Sequence, residues 1–149
     1  MALDNSKIII FELNGEHYSA DIKEVERILG YEEPTVLPDA PDFVKGVINY
    51  EEKILPVISL SKKFNIGEGT NYEMKKIIVV KKQEKKFGII VDNVYEVRDI
   101  DGEEIDETPE ITANSNRNYI KGLIKLDGNI VILLDLEKIL SIEDEDNIF

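Results

Sequence analysis

A chain of 149 residues is long enough for one domain, or for two small halves that share a core, and needs no covalent staple at this size. Its 31 acidic residues against 18 basic ones leave a formal charge of −13, a field that repels nucleic acid and anionic lipid and argues against both as partners. Without cysteine there is no disulfide framework and no thiolate metal site, and no apolar run reaches the roughly 18 residues that span a bilayer. The opening residues MALDNSK lack a basic-then-apolar leader, so the expectation is a soluble, acidic, cytoplasmic protein.

In chain order, residues 7–13 (KIIIFEL) form an apolar, β-branched run followed by Asn14-Gly15 and a second run, 16–22. Asn-Gly between two such runs predicts a hairpin, because both residues tolerate the positive φ of a tight turn. The return arm alternates, with Tyr18, Ala20 and Ile22 on one face. Residues 22–29 (IKEVERIL) place Ile22, Val25, Ile28 and Leu29 at helical spacing. That spacing predicts a short helix or turn, with a continued strand as the alternative. Three prolines in residues 31–42 predict an irregular surface segment.

Residues 43–60 (FVKGVINYEEKILPVISL) read as a second hairpin, turning at Glu51-Glu52-Lys53. Pro56 has no N–H to give to a ladder, so its strand is expected at an edge, at its own start, or at a bulge. Gly46 predicts a bulge or a close backbone approach. A short helix capped by Ser59 or Ser61 follows, then a glycine-containing linker over residues 66–71. Residues 76–80 and 87–94 make a third hairpin around the lysine-rich stretch 81–86. Beyond an acidic loop with Pro109, residues 119–140 make a fourth, with Asp127-Gly128-Asn129 at its turn; a short helix over 134–140 and an acidic tail, 141–149, close the chain.

The second and fourth hairpins are copies. Residues 43–64 lie over 119–140 without a gap, so that Lys45-Gly46 meets Lys121-Gly122 and Ile48, Ile54 and Leu60 meet Ile124, Ile130 and Leu136. Residues 8–28 likewise lie over 77–97, matching Tyr18 with Phe87, Ile22 with Val91 and Val25 with Val94. A period this long is not that of a solenoid; it indicates an internal duplication. Short strands at regular spacing predict an all-β chain with a few short helices, arranged as two small barrels on a shared core. The halves are expected at about residues 7–66 and 74–140.

The residues offer little chemistry. His17 is the one histidine, on the polar face of a hairpin arm, and no G-x-S-x-G, G-x-G-x-x-G or phosphate loop is present. The run Asp99 to Glu104 lacks the spacing and closing glutamate of a calcium loop. The six lysines between Lys75 and Lys86 read as a solvated hairpin turn that discourages edge pairing. The expectation is a binding module: not an enzyme, with no catalytic, cofactor or metal residues, and with a small β-barrel enzyme or metal binder as the remaining alternative.

The pieces FVKGVINY (43–50) and ILPVISL (54–60), FELNG (11–15) with Tyr18 and Ile22, Glu24-Val25 before Ile28, FGIIVDNV (87–94), Tyr119 to Gly122, and LLDL (133–136) together resemble CheW, the bacterial chemotaxis coupling-protein family. Their order and spacing cover residues 7 to 140. The resemblance implies one CheW-like domain built of two five-stranded SH3-like barrels on a common apolar core. It implies a monomeric scaffold without enzymatic activity or cofactor, joining chemoreceptor cytoplasmic tips to the regulatory domain of a CheA-type histidine kinase. Its receptor contact, a groove between the barrels, carries over to Val25, Arg27, Ile28, Gly46, Glu51, Val94 and Val97. Kinase contacts are expected on the barrel ends. The sequence departs from the family where N-L-R-G is usual at the second hairpin turn: here Asn49-Tyr50-Glu51-Glu52 reverses a charge, and Ser59-Leu60 replaces D-L. That departure implies a different receptor surface or a paralogue serving another two-component complex, as CheV does.

Overall fold

A computed structural model describes residues 6–67, 73–107 and 118–149. The hairpins form where local turn chemistry places them. Strands β1 (Ser6–Leu13) and β2 (Glu16–Asp21) are joined by Asn14 (φ 46°) and Gly15 (φ 84°), and β10 (Ile120–Leu126) and β11 (Asn129–Leu134) by Asp127 (φ 50°) and Gly128 (φ 82°). Paired positive φ gives a two-residue turn whose twist matches that of the strands. Between β4 (Val44–Tyr50) and β5 (Lys53–Ser59) the same geometry is adopted by Glu51 (φ 50°) and Glu52 (φ 65°), so the turn is two residues rather than three and Lys53 joins the strand. The lysine-rich turn contracts likewise: β6 (Lys76–Lys82) and β7 (Lys85–Val91) leave only Gln83 and Glu84 between them.

The remaining strands are β3 (Val25–Gly30), β8 (Asn93–Ile100) and the two-residue β9 (Ile105–Asp106). Two sheets result, ordered β8-β1-β2-β11-β10-β9 and β3-β6-β7-β5-β4. They do not follow the halves of the sequence. Each sheet takes the first hairpin of one copy and the later strands of the other, through the parallel pairs β2–β11 and β5–β7 and the antiparallel pairs β1–β8 and β3–β6. Residues 7–66 and 74–140 are therefore repeats in sequence whose hairpins are exchanged, not separately hydrogen-bonded units. One sheet has six strands rather than five because Ile105–Asp106 pairs with β10; the equivalent place in the other sheet holds the single bridge Thr35–Val47.

Each sheet curls about its own interior, since residues from both sheet edges meet in one cluster: Ile8, Ile10, Ile100, Ile124 and Val131 in the first, Ile48, Leu55, Val57, Ile77 and Val79, with Leu29 packed on them, in the second. A third cluster lies between the sheets and contains Ile9, Phe11, Leu13, Ile58, Ile78, Val80, Phe87 and Leu134. Alternate residues of β1 and β6 thus face two different cores. This is why both strands read as continuous apolar runs instead of alternating ones. Burying Phe11 and Phe87 contributes on the order of 2–3 kcal/mol each.

Three local expectations are corrected. Residues 22–29 are a 3-10 turn (Ile22–Glu24) capped by Asp21 and then strand β3, because Val25 to Gly30 find a ladder on β6 that a helix would forgo. Pro56 lies in an interior strand. Val47, opposite it, directs both backbone groups to Thr35 (N–H to O 2.9 Å, O from N–H 2.8 Å), so Pro56 faces β7, and pairing with β7 begins only at Val57. Its missing N–H therefore interrupts nothing. Leu134 ends β11, leaving a 3-10 turn at Leu136–Lys138. Helix α1 (Leu60–Lys63) forms as expected, with the Ser59 hydroxyl accepting from Lys62 N–H (3.2 Å). The acidic terminal stretch is helical: α2 (Ile142–Ile148) is held at its start by a reciprocal cap between Ser141 and Asp144. Most of the glycine linker and Pro109 lie outside the described residues.

Candidate interaction surfaces

The seven residues expected at a receptor contact fall on both sheets. Arg27 and Ile28 are exposed on edge strand β3, and Val97 is exposed on β8, the edge strand of the other sheet. Val25 and Val94, equivalent in the repeat, are each half-buried against the core between the sheets. Glu51, projected by its tight turn, approaches Arg27 at 4.0 Å. The Arg27 guanidinium also lies 5.8 Å from the Tyr50 ring centroid. Tyr50 donates to Glu26 (2.7 Å), which pairs with Lys86 at 2.9 Å. The Lys86 and Tyr50 hydrogen bonds hold the Glu26 carboxyl below its usual range, and the bond to Glu26 pushes the Tyr50 phenol up to about 12. The turn is therefore one end of a charged chain across β3, β4 and β7.

Gly46 is not part of that surface. It is buried at φ 145°, and a Cβ built on it would stand 2.0 Å from the Thr35 carbonyl oxygen. Its repeat partner Gly122 is held by a close approach as well, with the Asp106 carbonyl at 2.8 Å from the equivalent Cβ. Both interrupt the register of their hairpins. Gly46 shapes the strand that carries Glu51 and offers no side chain of its own.

Sequence reasoning did not identify the most exposed apolar residues of the two hairpins. Ile54 on β5 is 76% exposed and Ile130 on β11 is 61% exposed, and they are equivalent in the repeat. The offset aligns them, but an apolar arm gives no sign of which isoleucine faces water. Ile54 borders a groove of about 620 Å³ with Leu37, Pro56 and Phe149, rimmed by Lys53 and Lys85. Near Ile130 a smaller hollow of about 120 Å³ is lined by His17, Tyr95, Arg98 and Asp127. There His17 meets the Tyr95 ring edge-on at 5.1 Å, Arg98 pairs with Asp127 at 2.8 Å, and Tyr95 donates to Glu12, which pushes its phenol up to about 12. Among the described residues His17 is hydrogen-bonded to no hydroxyl nucleophile.

One carboxylate cluster was also not foreseen. Oxygens of Glu24, Asp135 and Glu137 lie within 4.8 Å of one another. Glu24 and Asp135 share the Glu137 N–H, each accepting at 3.1 Å, so Glu24 ties the 3-10 turn of the first repeat to that of the second. Burial pushes the Glu24 carboxyl up to about 7, Asp135 adds to this, and Lys121 and the backbone donors oppose it. Its Oε1 is buried with no hydrogen-bond partner among the described residues. The equivalent positions on the other side of the repeat are Asn93, Ser59 and Ser61, all neutral. Carboxylates occupy these three places on one side of the repeat only.

A family model for the CheW-like domain matches residues 7–144. The chain is 36% identical to the chemotaxis protein CheW of Klebsiella aerogenes over 139 residues, covering 93% of this chain and 83% of that protein. It is 32% identical to the CheW of Thermotoga maritima over 139 residues, covering 93% and 90%. Among solved structures it superposes on the scaffolding protein TtCheW of Thermoanaerobacter tengcongensis with a TM-score of 0.84 at 33% identity, covering 95% of this chain and 92% of that one.

Proposed function

Since this chain belongs to the CheW-like domain family, we propose that it is a non-enzymatic cytoplasmic scaffold that couples chemoreceptors to a CheA-type histidine kinase. The observation that carries the kinase side is the pair Ile54 and Ile130. Two large apolar side chains exposed at equivalent places beside two hairpin tips give the molecule two similar docking ends, one on each sheet. Large apolar side chains exposed at matched positions gain by burial against a partner, most of all where one of them borders an apolar groove as Ile54 does. A scaffold that must touch a neighbour on either side needs such a pair.

The receptor side is assigned to Arg27, Ile28 and Glu51 on the five-stranded sheet and to Val97 on the other. Val25 and Val94 support these strands from below, and Gly46 sets the path of β4. Titration calorimetry with an isolated kinase regulatory domain should show binding of about −8 kcal/mol, in the micromolar range. Ile54→Asp and Ile130→Asp should each weaken it without lowering the denaturation midpoint. No heat at tens of micromolar protein refutes the kinase assignment.

A further inference from the structure

The end of the molecule that carries Ile54 is partly covered by the chain itself. Helix α2 holds four consecutive acidic residues, 143–146, and none of its residues is fully buried. Two ion pairs help to hold it. Asp144 pairs with Lys63 at 2.6 Å and Glu145 with Lys82 at 3.2 Å, all four side chains being no more than a quarter exposed. Burial pushes the Asp144 carboxyl up, but Lys63 and the Ser141 donors outweigh it and leave it below its ordinary range. Beyond the pairs, Ile148 packs on the core between the sheets, and Phe149 lies in the Ile54 groove with the Lys85 ammonium 5.4 Å from its ring centroid. The helix follows the last 3-10 turn of the second repeat and is anchored on α1 and on the β6–β7 hairpin tip.

We propose that α2 is a strap that competes with the partner for the Ile54 end. This rests on the assignment of that end to kinase docking. Phe149 and Ile148 line the same groove as Leu37, Ile54 and Pro56, so a partner that buries Ile54 fully meets the strap. An element with no fully buried residue, held by ion pairs, opens at much lower cost than the sheets beneath it. Lifting it bares Lys63 and Lys82 and leaves them unpaired by the helix, close to exposed Lys85 beside the apolar groove, on a chain of charge −13. The bared surface suits an acidic partner segment with apolar side chains, the same chemistry that α2 itself presents.

The test is calorimetric titration of an isolated kinase regulatory domain into the full chain and into the double variant Asp144→Asn, Glu145→Gln, which keeps a side-chain acceptor at the cap and removes both pairing charges. If the strap is docked about nine-tenths of the time, freeing the groove tightens apparent binding by about tenfold. Phe149→Ala should tighten it in the same direction, and added salt should narrow the gap between wild type and double variant by weakening the strap. Hydrogen exchange should quicken in residues 142–148 of the double variant while β5 and β7 stay protected. Equal or weaker binding by the double variant overturns the strap and leaves kinase docking intact. Absence of binding by both proteins overturns both assignments.

Discussion

Glu24 makes the folded state sensitive to pH near neutrality. Its carboxyl is raised from 4.5 to about 7 in the fold, first by burial and then by Asp135. Between those two values the folded chain holds a proton that the unfolded chain has released. Stability from this group is therefore greatest below about pH 4.5 and is lost as pH rises through 7. The span of 4.5 to about 7 sets a ceiling of roughly 3 kcal/mol, and partial solvation of the side chain reduces this to about 1–2 kcal/mol. Glu24→Gln removes the charge, keeps an acceptor for the Glu137 N–H, and turns an amide donor toward Asp135. Urea denaturation of both proteins from pH 5 to pH 9 should give a difference that grows with pH, the variant being more stable by about 1–2 kcal/mol at the alkaline end. Comparing the two proteins cancels the other carboxylates. Parallel profiles, or a wild type that gains on the variant with rising pH, would refute the argument.

Gly46→Ala should cost about 2–4 kcal/mol, because its Cβ meets the Thr35 carbonyl at 2.0 Å and its φ is strained for any other residue, whereas Gly122→Ala should cost less. Urea midpoints rank the two, and equal small shifts would remove the special role of Gly46. Glu51→Arg places a like charge beside Arg27, at the 4.0 Å contact, with only ~0–1 kcal/mol effect on folding. At the receptor interface the same change should weaken binding of the cognate receptor fragment, and Arg27→Glu added to it should recover part of the loss. A two-by-two set of affinities at low and high salt measures this coupling, and salt-independent values without recovery would leave Glu51 an ordinary surface residue.

Much of this protein follows from short stretches of its sequence. Asn14-Gly15 and Asp127-Gly128 specify tight hairpins because the turn geometry is a property of two residues and their φ angles. Glu51 and Glu52 adopt the same geometry without that chemistry, forced by the strands they join, which is why their turn was expected to be longer. The repeat, the all-β class, the cap at Ser59 and the family signature are likewise statements about spacing and residue type. Gly46 announced itself as a bulge because only glycine fits beneath a carbonyl at that distance.

What the sequence could not convey is which strand pairs with which. Backbone donors and acceptors are the same in every strand, so nothing in residues 7–22 shows that their hairpin joins the later strands of the other copy. That exchange gives β1 and β6 two cores each, draws residues 25–30 out of a helical pattern into a ladder, and lets Pro56 sit inside a sheet. It also decides the surface. Ile54 and Ile130 share a strand face with buried Ile58 and Leu134 but stand at the hairpin-tip end of that face, outside the core between the sheets, and Glu24 meets Asp135 only because the two repeats are folded through each other. Local propensity set the elements; long-range pairing, in which any strand edge can serve, required the whole tertiary structure to select one arrangement.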